Sequence, residues 1–108
     1  MLAGTVSQTE VEIKNANGLH MRPAMQFVDT ASKFTSEVEV SNGKTAVNGK
    51  SIMHMAMLAA AAGTKLTITA KGPDSKQAIE ALKDLVEIKL FDEPAWQPMD
   101  KTAERTQT

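Results

Sequence analysis

The chain has two histidines, His20 and His54, and one sits where its neighbours can direct chemistry. His20 belongs to the string Asn17-Gly18-Leu19-His20-Met21-Arg22-Pro23-Ala24, just before an amphipathic run. The first amides of a helix lack intrahelical acceptors and favour an anion in front of them. Arg22 adds a permanent cation whose fork matches phosphate oxygens. Pro23 sits in the first turn, where a missing N–H costs nothing, and fixes the chain's entry into the helix. Positive surroundings disfavour an imidazolium and leave a nitrogen lone pair available. The set suits a transient phosphohistidine made without metal or cofactor. A lone histidine is more commonly a helix cap or a surface residue, and His20's neighbours are what weigh against that. His54 has no such company. Two histidines without an obvious carboxylate ligand make a poor metal site, so no metal is expected and His54 reads as a surface residue.

These residues must be held by regular elements. Val6, Val11 and Ile13 stand among polar neighbours over Thr5 to Ile13, which predicts a half-buried strand. Ala24, Phe27, Val28, Ala31 and Phe34 recur at helical spacing, predicting a helix from Met21 to Lys33. Glu37 to Ser41 and Thr45 to Asn48 read as a hairpin turned at Asn42-Gly43. Ser51 reads as the N-cap of a short helix, with Gly63 just past its end. Lys65 to Lys71 alternates with Leu66, Ile68 and Ala70 on one face. Asp74 with Gln77 resembles a capping box, opening a last helix through Ala78, Ile79, Leu82, Leu85 and Val86. Each strand has one apolar face, so one covering layer suffices. The expected fold is antiparallel α+β with all helices on one side.

Composition narrows the classes. The 108 residues suit one domain with a real core. The chain has no cysteine, which excludes disulfides, thiolate metal sites and thiol catalysis and fits a reducing compartment, the cytoplasm. Short apolar runs predict neither a membrane span nor a secretory leader. Net charge is -1, tyrosine is absent and aromatics are 4%, leaving little to attract or stack nucleic acid. Ile13 to Val28 and Val40 to Pro73 hold no acid, and together they suggest one positive docking face. Past Leu90 the pattern loses its period. The domain is therefore assigned to 1–90 and a flexible tail to 91–108, with Phe91 and Trp96 packing back or meeting a partner.

From Val11 to Val86, three anchors in register resemble the histidine-containing phosphocarrier (HPr) family of the bacterial sugar phosphotransferase system. They are the His20 string, Asn42-Gly43-Lys44, and Lys50-Ser51-Ile52-Met53 followed by Leu58 and Gly63. The resemblance implies an open-faced β-sandwich, a four-stranded antiparallel sheet with three helices on one face. It implies a monomeric carrier, not a turnover catalyst, phosphorylated on His20 Nδ1 by enzyme I and discharged onto A-type enzyme II components. Arg22 would stabilise the phosphoryl group, with Asn17, Gly18 and Pro23 shaping its approach. Ser51 matches the regulatory site of HPr kinase/phosphorylase, which would bring in a transcriptional regulator as a further partner. Met21, Met25, Ile52 and Met53 match partner-docking positions, and Met25 departs from the small residue common there. Alternative roles are a carrier in a nitrogen-related or other regulatory phosphorelay, or a Ser51-dependent binding module that transfers nothing.

Overall fold

In a computed structural model describing residues 5–58 and 60–92, alternating polarity produces the strands and the 3.6-residue period the helices. They run β1 (Val6–Glu12), α1 (Met21–Ala31), β2 (Glu37–Ser41), β3 (Ala46–Asn48), α2 (Ile52–Leu58), β4 (Lys65–Lys71) and α3 (Ser75–Lys83). The sheet order is β1-β4-β2-β3, and every neighbouring pair is antiparallel. This is the expected order and class.

The register explains the single core. Val11 stands opposite Leu66, Val40 opposite Ile68, and Val38 opposite Ala70, all buried on one face. α1 lays Phe27, Val28 and Ala31 on that face, α2 adds Met55 and Leu58, and α3 adds Ala78, Ile79 and Leu82. Full burial of one such Leu, Ile or Phe contributes about 1.5–3 kcal/mol. The other face is polar: Gln8 Nε2 donates to Thr69 Oγ1 at 2.9 Å.

Several local readings need correction. Thr45 belongs to the hairpin loop, because Asn42 Oδ1 accepts the N–H groups of both Lys44 (2.9 Å) and Thr45 (2.8 Å). α2 ends at Leu58, and Gly63 (φ 90°) instead turns the chain into β4, donating its N–H to the Ile13 carbonyl at 2.8 Å. The last helix is regular only to Lys83 and widens to a π turn over Asp84–Ile88. Phe91, assigned to the tail, is fully buried in the core. The rest of the proposed tail, from residue 93, lies outside the described residues, Trp96 included.

Asp74 is not a capping-box residue. It occupies the N-cap position of α3 without a side-chain cap bond. Its carboxylate instead accepts from Ser36 Oγ (2.5 Å), Ser36 N–H (2.9 Å) and Thr35 N–H (2.9 Å), tying the α1–β2 loop to the start of α3. These bonds, the Ser36 hydroxyl first and the Thr35 amide next, lower its pKa to about 2. A carboxyl acidified by folding stabilises the fold above its unfolded pKa and ceases to do so as pH falls through the folded one. Asp74→Asn should therefore lower Tm at pH 7, with the gap to wild type closing between pH 4 and pH 2. Thermal melts across that range check it; a gap independent of pH would contradict it.

Candidate functional site

The His20 segment is built before α1 begins. Asn15 is fully buried, and its Nδ2 donates to the Gly18 carbonyl at 2.7 Å. Gly18 takes a left-handed φ of 71° against the backbone of Ala60–Ala62. An added Cβ would meet the Ala60 carbonyl oxygen at 2.7 Å and the Ala61 Cα at 3.0 Å. Next in the chain, the Leu19 N–H donates to that same Ala60 oxygen at 2.7 Å, and the Leu19 side chain is buried. The loop is thus clamped on both sides of the turn that delivers His20.

His20 is the N-cap of α1, with extended backbone (φ -86°, ψ -170°). Its carbonyl accepts the first helical bond, from Ala24 N–H at 3.0 Å. Its imidazole makes no cap bond to the helix, and the residue is exposed. A cap role therefore does not explain the ring. The first turn of α1 contains no acid, Arg22 is exposed one residue into it, and Pro23 is buried as its third residue. Asn17 is exposed at the mouth of the loop.

Ser51 caps α2 as expected: the His54 N–H donates to Ser51 Oγ at 3.3 Å and the Met55 N–H to the Ser51 carbonyl at 2.9 Å. It does not adjoin His20. Leu19 is fastened to Ala60, beyond the C-terminal end of α2, while Lys50 Nζ, at its other end, donates to the Phe34 carbonyl past the end of α1 (2.7 Å). α1 and α2 are thus antiparallel neighbours, and the seven residues of α2 put about 10 Å between its ends. His20 and Ser51 share one helical layer at opposite ends of α2.

The anticipated single positive face does not form from all its members. Lys50 is committed to Phe34, Lys44 is in the hairpin loop, and Lys65 and Lys71 close opposite ends of β4, about 20 Å apart. Lys14 and Arg22 remain with the His20 segment.

The methionines divide cleanly. Met55 is core. Met21 and Met25 on α1 are 54% and 45% exposed, and Met53 and Met57 on α2 are each 74% exposed. Each pair is spaced i, i+4 and so shares one face of its helix. Ile52 is only half-exposed and packs against the core. Met57 joins Met53 on the exposed face of α2; its i+4 spacing from Met53 was the available signal. Asn15 was also missed, because nothing in a turn-rich string reveals which amide faces inward. His54 lies elsewhere, lining a cleft of about 470 Å³ with Glu37, Glu39, Asn48, Lys50 and Lys71. Its Nδ1 accepts the Asn48 N–H at 3.4 Å. No cluster of three or more His, Asp or Glu suited to a metal occurs among the described residues. No helix among them is long and apolar enough to cross a membrane.

Comparison with known proteins agrees with this geometry. Residues 7–87 match the family model described as the PTS HPr component phosphorylation site. The phosphocarrier protein HPr of Neisseria meningitidis is 49% identical over 76 residues, 70% of this chain and 85% of that protein. The crystal structure of HPr from Thermoanaerobacter tengcongensis superposes with a TM-score of 0.76 at 45% identity, covering 81% of this chain and 97% of that one. HPr from Bacillus anthracis gives 0.74 at 37% identity, covering 77% and 99%. An exposed histidine that does not cap its own helix, an arginine beside it and a βαββαβα sheet domain that aligns with these relatives converge on one conclusion: the chain belongs to the HPr family of phosphocarrier proteins.

Proposed function

We propose that His20 accepts a phosphoryl group from phospho-enzyme I and passes it to A-type enzyme II components of a sugar phosphotransferase system. The observation that carries this reading is the exposed, non-capping imidazole at the N-terminus of the 11-residue α1, two residues before Arg22. In the transfer, the phosphorus bond to the donor's nitrogen breaks as a bond to His20 Nδ1 forms. The charge on the moving oxygens is met by the helix N-terminus and the Arg22 guanidinium. Asn17, Gly18 and Pro23 fix the approach, and the protein acts as a cytoplasmic carrier, not a turnover catalyst. Incubated with phosphoenolpyruvate and catalytic enzyme I, it should gain one acid-labile phosphoryl group and lose it when an A-type enzyme II component is added. No adduct, or one that cannot be discharged, would overturn the reading.

Ser51 is proposed as a regulatory phosphorylation site for an HPr kinase/phosphorylase, with Met21, Met25, Ile52 and Met53 docking partners. Because Ser51 stands a helix-length from His20, its phosphate acts on the docking face and not on the imidazole directly. Asp is as good an N-cap as Ser, so Ser51→Asp keeps α2 while adding charge. It should slow phosphoryl acceptance from enzyme I by about tenfold at low salt and by less at high salt, as for a charge at an interface rim. Stopped-flow or quench-flow rates at two ionic strengths check this; equal rates for variant and wild type would contradict it.

A further inference from the structure

With seven methionines and no cysteine, the thioether is the chain's only sulfur chemistry. The structure sorts the methionines of the first two helices by exposure. Met55 is fully buried in the core, whereas Met21 and Met25 on α1 and Met53 and Met57 on α2 are exposed. The other large apolar side chains left exposed among the described residues are Val6 and Ile88, which lie on neither helix. Single exposed apolar residues are ordinary, but a group of them on one surface marks a working face.

These four belong to one surface. The Leu19 N–H donates to the Ala60 carbonyl at 2.7 Å, so the start of α1 meets the chain just past the end of α2. Met21 opens α1 and Met57 lies in the last turn of α2, both near that junction. Met25 and Met53 each stand one turn farther along helices that run antiparallel. Phe27 and Val28 of α1 and Met55 and Leu58 of α2 face the sheet, which leaves the four thioethers on the outer side of the helical layer. The group begins one residue from His20.

We propose that Met21, Met25, Met53 and Met57 form an oxidant-sensitive modification site, in which a hydroperoxide converts the thioethers to sulfoxides. A sulfur lone pair attacks the terminal peroxide oxygen, and an S–O bond forms as the O–O bond breaks. Sulfur gives up two electrons, and the departing oxygen takes the proton of the transferred hydroxyl to leave as water or an alcohol. A dithiol-dependent sulfoxide reductase reverses the change, returning the thioether, water and a disulfide. Each sulfoxide is polar and chiral, so a partner covering it must desolvate its oxygen. Resting on the carrier reading, in which Met21, Met25 and Met53 dock partners, oxidation slows phosphoryl acceptance and leaves His20 itself unmodified.

Limited hydrogen peroxide applied to the folded full-length protein, followed by peptide mapping, tests the site without enzyme I. Met21, Met25, Met53 and Met57 should each gain one oxygen about tenfold faster than Met55, or faster still, with the gap closing in denaturant. Met55 reacting as fast as the four, or the four staying unmodified, would overturn the proposal. The oxidised protein should keep its circular dichroism spectrum, because the four side chains lie outside the core. After catalase removes the peroxide, it should accept phosphate from enzyme I about tenfold more slowly, the penalty of covering an unpaired polar group. Methionine sulfoxide reductases A and B with dithiothreitol should restore the rate. Combining Met21→Leu, Met25→Leu, Met53→Leu and Met57→Leu should give a protein that, whatever its own rate, loses none of it to peroxide. Oxidised protein as fast as untreated protein, or an equal loss in the combined variant, would overturn the effect on transfer. Absence of any adduct on untreated protein would instead defeat the carrier reading, and the peptide map alone would still decide the modification site.

Discussion

His20→Ala should abolish the phosphoryl adduct while leaving the fold intact. The imidazole is exposed and makes no cap bond, so its loss removes no core contact. His54 cannot replace it. It lies inside α2 with no arginine beside it, lines a cleft whose Glu37 and Glu39 are balanced by Lys50 and Lys71, and its Nδ1 accepts the Asn48 N–H at 3.4 Å. Arg22→Ala should retain the adduct but form it more slowly, by roughly 10- to 100-fold, the value of one hydrogen bond to a charged group. Arg22→Lys should recover only part of the rate, because an ammonium keeps the charge and loses the fork. Rapid-quench measurement of phosphoprotein formation distinguishes the three. An Arg22→Ala rate equal to wild type would leave the guanidinium without a part in transfer.

Gly18→Ala should be strongly destabilising and should disturb the segment that delivers His20. Left-handed backbone costs a residue with a Cβ about 1–2 kcal/mol. The new carbon would also lie 2.7 Å from the Ala60 oxygen that accepts the Leu19 N–H, so backbone must move on one side or the other. Together these effects should lower stability by about 2–4 kcal/mol, or roughly 10–25 °C in Tm for a domain of this size. Chemical denaturation checks the magnitude. Any folded fraction should also accept phosphate slowly, since the clamp that delivers His20 has shifted. A Tm within a degree or two of wild type would show that the loop relaxes freely.

Elements carried by local pattern were legible before the structure. The Leu66-Ile68-Ala70 alternation, the α1 stripe ending in Phe27, Val28 and Ala31, and the Ser51 cap all lie within a few residues of their own signal. His20 was legible for the same reason: a helix start, an arginine and a proline are contiguous. What was hidden depends on distant partners. Asp74 followed by Gln77 has the spacing of a cap, but Ser36 and Thr35, nearly forty residues earlier, offer it stronger bonds. Gly63 looked like a helix end because the alanines before it are good helix formers; the Ile13 carbonyl and β4 claim the segment instead. Phe91 follows a non-periodic stretch, and only the left-handed turn at Leu90 returns it to the core. The separation of His20 from Ser51 follows from the antiparallel packing of two helices, which no local pattern encodes.

His20, and no other side chain, is proposed to carry the phosphoryl group. Nitrogen-15 and phosphorus-31 NMR of the protein after reaction with phosphoenolpyruvate and enzyme I tests it directly. The expected result is a single phosphoimidazole signal coupled to the His20 ring, with His54 and Ser51 unchanged. A phosphoryl signal on His54, on Ser51, or on no residue would contradict it.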